Sequence, residues 1–145
     1  MSFTFDANVL LHASDASSAH HARARSFLDD VAAGDELVYL FWPTALAYLR
    51  IATHPAIFKA PLRPSEATAN IEGLLDLPQV QTVGEHDRFW ASYRRIAVEA
   101  DARGNLVPDA HLVALMIENG VRTIWTHDRD YRRFPGIEAR DPFSG

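Results

Sequence analysis

The run from Phe3 to Leu11 is apolar on both faces except at Asp6 and Asn8. Such a run suits a strand buried on both sides, the situation of a parallel sheet covered by helices. An ionised acid is costly to bury there alone, so Asp6 calls for a partner at the strand's end.

The rest of the chain alternates short apolar runs with helical patterns. Ser14-Asp15 can cap a helix expected over about Ser17–Ala32, where His20, Ala24, Phe27, Leu28 and Val31 recur at helical spacing and Gly34 is the stop. Leu37–Trp42 reads as a second strand, and Pro43 suits the first turn of a helix that continues through Leu46, Leu49, Arg50 and Thr53 to His54-Pro55. Pro64-Ser65-Glu66 opens another, bounded by Pro78, and Val80–Val83 is a short strand. A longer helix is expected from His86 to Arg103-Gly104, with the glycine as a left-handed cap. Pro108-Asp109 then opens a helix over Ala110–Asn119, almost continuously apolar and therefore buried. Val121–Thr126 is a strand, His127–Tyr131 a charged turn, and Phe134–Gly145 an extended tail.

This alternation predicts the α/β class, a central mainly parallel sheet with helices on both faces. A length of 145 residues with 48% hydrophobic content fits one domain, 1–145. No apolar run reaches the roughly eighteen residues of a membrane span, and the start MSFTFDANVLLHA lacks the basic opening of a signal peptide. The expected location is cytoplasmic, with no membrane partner. The absence of cysteine removes thiolate ligands and nucleophiles, leaving oxygen and imidazole. Seven scattered histidines form no H-E-x-x-H or other zinc spacing. The net charge of -5 argues against a broad basic field for nucleic acid, but Lys59 is the sole lysine and the other cations are arginines, which suit bidentate phosphate contacts.

In sheets of this class, ligands collect beyond the carboxyl ends of the strands. Asp6 in the first strand, Asp109 opening the buried helix and Asp128 after the last strand meet that positional test. Gathered in one cleft, three carboxylates would repel unless a divalent cation neutralised them, and all-oxygen ligation favours Mg2+ or Mn2+. Phosphoryl chemistry is the natural use of such a site. Taken singly, each aspartate also suits an ordinary cap or turn. His127 beside Asp128 is the best-placed acid–base candidate, though an exposed loop histidine is the plainer explanation, and His111 is expected to pack or cap. Arg129, Arg132 and Arg133 form a small basic cluster suited to RNA phosphates or to solvent. Of Trp42, Tyr48, Phe58, Phe89, Trp90 and Tyr93, most are expected in the core and a minority in a groove for a partner segment.

The stretches FDANVLLHA, LRIATHP, GNLVPDAHLVAL and THDRDYRRFPG, in this order and spacing, resemble VapC toxins of the PIN-domain ribonuclease family across nearly the whole chain. The resemblance implies a three-layer α/β/α fold, a metal held by Asp6, Asp109 and Asp128, and supporting polar groups at Asn8 and Thr126. It also implies endoribonuclease activity on transfer or ribosomal RNA, inhibition by a VapB-like antitoxin, and a homodimer. One place departs from the family. Many members carry a glutamate on the helix after the second strand, where TALAYLRIATHP offers Tyr48. A site with three acids is then expected, with a weakened second metal or a shift toward Mn2+, and Tyr48→Glu is expected to alter the metal profile. The non-enzymatic alternative is a PIN fold that has lost catalysis and only binds partners. A response-regulator receiver domain is disfavoured by the single acid after the first strand and the lack of a late lysine, and a haloacid-type phosphatase by D-x-N in place of D-x-D.

Overall fold

The computed structural model describes residues 1–144. Its sheet has five strands, β1 (Ser2–Phe5), β2 (Leu37–Tyr39), β3 (Val80–Gln81), β4 (Thr123–Trp125) and β5 (Glu138–Arg140), in the order β3-β2-β1-β4-β5. Every pairing is parallel. The helices are α1 (Ala7–Ser14), α2 (His21–Ala33), α3 (Trp42–Ala52), α4 (Pro64–Leu75), α5 (Phe89–Glu99) and α6 (Leu106–Glu118), and a short 3-10 helix spans Arg129–Arg133. Alternate residues of the strands feed two cores. Phe5 and Val38 join Val9, Val31, Tyr48 and Ile71 from α1 to α4 on one face. Ile124 joins Ile96 of α5 and Leu112, Val113 and Met116 of α6 on the other. This is the α/β/α layering expected from the alternation of elements. Among the described residues no helix is long and apolar enough to cross a membrane.

The apolar run at the start divides where an unbroken strand was expected. β1 ends at Phe5, and residues 7 to 14 are helical because Asp6 acts as an N-cap whose carboxylate accepts the Asn8 N–H. Val9, Leu10, Leu11 and Ala13 are all buried. A helix buried nearly all round leaves no periodicity to tell it from a buried strand. The second strand is likewise shorter than expected, because α3 starts at Trp42 with Pro43 in its first turn.

Further boundaries shift for local reasons. Asp15 does not cap α2. Its carboxylate accepts the Ser17 N–H and hydroxyl in a turn, and the helix starts at His21. α5 ends at Glu99, with Asp101 rather than Gly104 taking the first left-handed conformation (φ 51°). α6 begins at Leu106, ahead of Pro108-Asp109, and Gly120 (φ 71°) follows it as the expected stop. The tail holds β5, a strand not anticipated from its mixed residues, and its pairing with β4 completes the sheet.

Of the six aromatic residues expected mostly in the core, Tyr48 and Phe58 are buried, Phe89 and Tyr93 are half-buried, and Trp42 and Trp90 are exposed, so fewer are fully in the core than expected. Tyr48 is only 1% exposed. Its hydroxyl accepts from the Asn70 amide at 2.9 Å and shares a hydrogen bond with Ser14 Oγ at 2.7 Å, tying α1, α3 and α4 together. Tyr48→Phe removes both hydrogen bonds and is expected to cost about 1 kcal/mol, measured by urea unfolding. Tyr48→Glu would bury a carboxylate and is expected to cost about 3 kcal/mol or more by the same measurement.

Candidate metal centre

The chain runs from β1 outward through β2 and β3, then returns to the other side of β1 to add β4 and β5. Strand order thus reverses between β1 and β4, and groups at their carboxyl ends meet in the crevice that such a reversal leaves. Asp6 follows β1 directly and is 6% exposed. Its Oδ1 accepts the Asn8 N–H at 3.2 Å, and its Oδ2 accepts the Thr126 hydroxyl at 2.5 Å. Thr126, buried just past β4, accepts the Asp128 N–H on the same oxygen at 3.0 Å. The Asp128 carboxylate in turn accepts the Asp130 N–H at 2.9 Å and caps the 3-10 helix. One threonine hydroxyl therefore locks the loop after β4 to the acid after β1.

Asp109 lies in the first turn of α6, where the helix dipole favours an acid, and does not serve as the cap. It lines a cleft of about 200 Å³ with Asp6, Asn8, Asp128 and Tyr131. Pro43, Thr44, Ala47 and Ile51 of α3 form the facing wall. One carboxylate oxygen from each of Asp109, Asp128 and Asp130 lies within 4.8 Å of the others. Asp6 shares the cleft but stands outside that triplet. The expected three acids thus converge on one cleft, and Asp130, which sequence inspection missed, joins them. The D-x-D spacing at Asp128 and Asp130 was the available signal.

Burial pushes the Asp6 carboxyl up to about 6, against the pull of its Thr126 hydrogen bond and with the Asp128 charge adding to the rise. Asp109 is also pushed up to about 6, first by burial and then by the charges of Asp128, Asp130 and Asp6, while the Tyr131 phenol opposes the rise. No lysine, arginine or histidine is among the residues lining the cleft. Crowded carboxylates without a protein cation are what an all-oxygen site for a hard divalent cation requires. The residues present fit such an ion.

The other candidates are placed as follows. Asn8 is exposed at the cleft, and it is its backbone N–H that meets Asp6. His127 turns toward the C-terminal segment, bonded to Asp141 at 2.8 Å and packed against His20 and Phe143, and it does not line the cleft. His111 pairs with Glu85 at 2.7 Å and packs against Phe89, as a surface packing role requires. Arg129, Arg132 and Arg133 are exposed on the 3-10 helix and form no ion pair among the described residues. Arg129 and Arg132 line a polar hollow beside Asp128.

The expectation attached to Tyr48 needs correction. Tyr48 points into the core, where it borders a separate hollow with Leu10, Ser14, Arg25 and Asn70. The α3 residue that faces the carboxylates at the corresponding turn is Ala47, one position earlier. A one-residue step rotates a helical side chain by about 100 degrees, enough to exchange cleft for core. The fourth acid is therefore absent at Ala47, and Tyr48 has no part in the site.

Comparison with known proteins agrees with this geometry. The PIN domain family model matches residues 3–137. Ribonuclease VapC48 of Mycobacterium tuberculosis is 54% identical over 145 residues, covering 100% of both chains. Ribonuclease VapC43 of the same species is 33% identical over 97% of this chain and 95% of its own. Among solved structures, Mycobacterium tuberculosis VapC20, described as a sarcin-ricin loop cleaving toxin, superposes with a TM-score of 0.68 at 17% identity, covering 95% of this chain and 98% of that one. DNA-bound VapBC from Salmonella typhimurium superposes with a TM-score of 0.65 at 18% identity over 98% of each chain. The solved structures share the fold, and the sequence relatives carry the kinship: the chain belongs to the PIN-domain family, among the VapC ribonucleases.

Proposed function

We propose that this chain is the toxin of a VapBC-type toxin–antitoxin pair, a divalent-cation-dependent endoribonuclease acting in the cytoplasm and restrained by a VapB-like antitoxin. The observation that carries the proposal is the convergence of Asp109, Asp128 and Asp130 oxygens within 4.8 Å, beside buried Asp6, in a cleft without a basic side chain. The ion is Mg2+ or Mn2+, held by Asp6, Asp109 and Asp128, with Asp130 able to join them. The partner assignment draws on the solved VapBC complexes of the same fold, the ribonuclease assignment on the sequence relatives, and the choice of transfer or ribosomal RNA on the family resemblance. The working form is a homodimer, as the family resemblance implies.

A bound divalent cation supplies Lewis acidity, polarising a phosphodiester and lowering the pKa of water at the scissile phosphorus. The protein supplies position. Thr126 and the Asn8 N–H fix both oxygens of Asp6, so its carboxylate is held before any ion arrives. The Asp130 N–H holds one oxygen of Asp128. Tyr131, only 5% exposed, walls the cleft beside Asp109. Arg129 and Arg132, without an ion-pair partner among the described residues, are suited to grip backbone phosphates next to the cut and compensate locally for the acidic surface.

Three outcomes test this function. Asp128→Asn and Asp6→Ala, purified without antitoxin, are expected to cleave total RNA with Mg2+ or Mn2+ more slowly by on the order of a hundredfold or more. Cleavage equal to the native chain's would assign the activity to a contaminant.

The second outcome concerns pH. Asp6 and Asp109 titrate near 6 in the folded protein but near 3.8 when exposed, so the folded state holds more protons between those values. The metal-free protein therefore loses stability as pH rises from about 4 to 7, and a cation restores it only where these groups are ionised. Thermal melts should show a clear upward shift with Mn2+ at pH 7.5 and little at pH 5. An equal shift at both pH values would separate cation binding from these carboxylates.

The third outcome concerns the α3 wall. Ala47→Glu adds a carboxylate facing the cleft and is expected to tighten Mn2+ binding by roughly tenfold, measured calorimetrically. Unchanged affinity would show that α3 lies too far from the ion.

A further inference from the structure

In the loop after β4, Thr126 bonds Asp6 and Asp128 lines the cleft, while His127 between them turns the other way. Extended backbone alternates its side chains in this manner. The outward ring of His127 is not loose. Its Nδ1 hydrogen-bonds Asp141 at 2.8 Å, and the ring lies 4.9 Å from that of His20 and 5.4 Å from that of Phe143. Phe143 is the hub of this cluster. It stacks on His20 at 4.5 Å with the ring planes 8° apart, and it meets His12 edge-on at 5.3 Å. Asp141 also accepts the Phe143 N–H at 2.8 Å, which fixes the turn that aims the phenyl ring. His12 lies in the last turn of α1, bonded to Ser18 at 2.6 Å, and His20 directly precedes α2. The residues after β5 thus tie the α1–α2 turn to the loop that carries Asp128.

We propose that the segment Asp141–Ser144 is a strap that sets the path of this loop, with Phe143 as a positioning residue for Asp128. The inference rests on the ribonuclease reading under the proposed function. On the cleft side the loop is restrained through the Thr126 hydroxyl, which donates to Asp6 and accepts the Asp128 N–H. The Asp128 carboxylate itself bonds only within its own turn, to the Asp130 N–H. A surface loop with so few bonds to distant elements opens at little cost unless its outer side is also held. His127 is the handle on that side. With its ring fixed by Asp141, Phe143 and His20, the backbone on either side of it cannot rotate freely, and Asp128 keeps its direction into the cleft. Asp141 and Ser144 also border the polar hollow that Asp128 shares with Arg129 and Arg132, so the strap runs alongside both the acid and the arginines. Misplacing a reacting group by about 1 Å can cost on the order of a hundredfold in rate, so a slack loop would show in turnover.

The test is amide hydrogen exchange by NMR on the full metal-free chain, beside cleavage of total RNA with Mn2+. The Asp128 N–H, bonded to the Thr126 hydroxyl, reports the loop, and the α6 amides of Val113 and Leu115 report global stability. The variants are Phe143→Ala, Asp141→Ala and Phe143→Tyr, with circular dichroism as the check of folding. Phe143→Ala and Asp141→Ala are expected to speed exchange at Asp128 by roughly tenfold or more, and exchange at Val113 and Leu115 by a clearly smaller factor. RNA cleavage should fall by roughly ten- to a hundredfold in both, whereas Phe143→Tyr, which keeps the stacked ring, should stay within about threefold of the native chain. Native exchange at Asp128, or acceleration by the same factor at Asp128 and in α6, overturns the strap and leaves Phe143 an ordinary packing residue. Faster loop exchange with native cleavage overturns the positioning role. If Phe143→Ala does not fold, Asp141→Ala decides alone. A native chain that cleaves no RNA overturns the ribonuclease reading and this inference with it, whereas native cleavage with insensitive variants overturns the inference only.

Discussion

The hydrogen bond from the Thr126 hydroxyl to Asp6 is the interaction on which the active end of this molecule depends. It joins residues 120 positions apart, across the boundary where the sheet changes direction. Asp6 could not otherwise remain so deeply buried, since an acid in apolar surroundings needs donors to hold its charge. The same Thr126 oxygen receives the Asp128 N–H, so the loop after β4 takes its path from the acid after β1. Removing Thr126 would loosen two carboxylates at once.

That arrangement stores electrostatic strain. Asp6 and Asp109 have raised pKa values mainly because they are buried, and neighbouring aspartates push both further. A protein that only needed a stable turn would have no reason to keep four acids there, because each added charge destabilises the folded state. A bound cation would relieve that repulsion, so under the proposed function the centre favours binding at the expense of metal-free stability. The net charge of -5 is compatible with the RNA substrate proposed above. Under the proposed function, attraction for phosphate is local, coming from a bound cation and the arginines of the 3-10 helix, so affinity need not come from a basic surface.

The α3 wall differs in kind from the other walls. It contributes a mainly apolar surface from Pro43, Ala47 and Ile51, and no carboxylate. Tyr48, next to Ala47 in sequence, instead joins three helices in the core. Core and cleft thus share a single helix, and their requirements are separated by one residue.

Much of this was legible in the sequence. Alternating apolar runs and helical spacings specified the α/β class, and the motif order placed Asp6, Asp109, Asp128 and Thr126 in one site, because local patterns and short motifs are properties of neighbouring residues. Boundaries were less legible. Residues 7 to 14 form a helix buried nearly all round, and β5 becomes a strand through its pairing with β4 more than through its composition. Only tertiary structure could decide that Ala47 and not Tyr48 faces the acids, that His127 turns to Asp141, and that the Thr44 hydroxyl is buried without a partner among the described residues. Those outcomes depend on how a helix is rotated against its neighbours, and that rotation is set by packing between segments far apart in the chain.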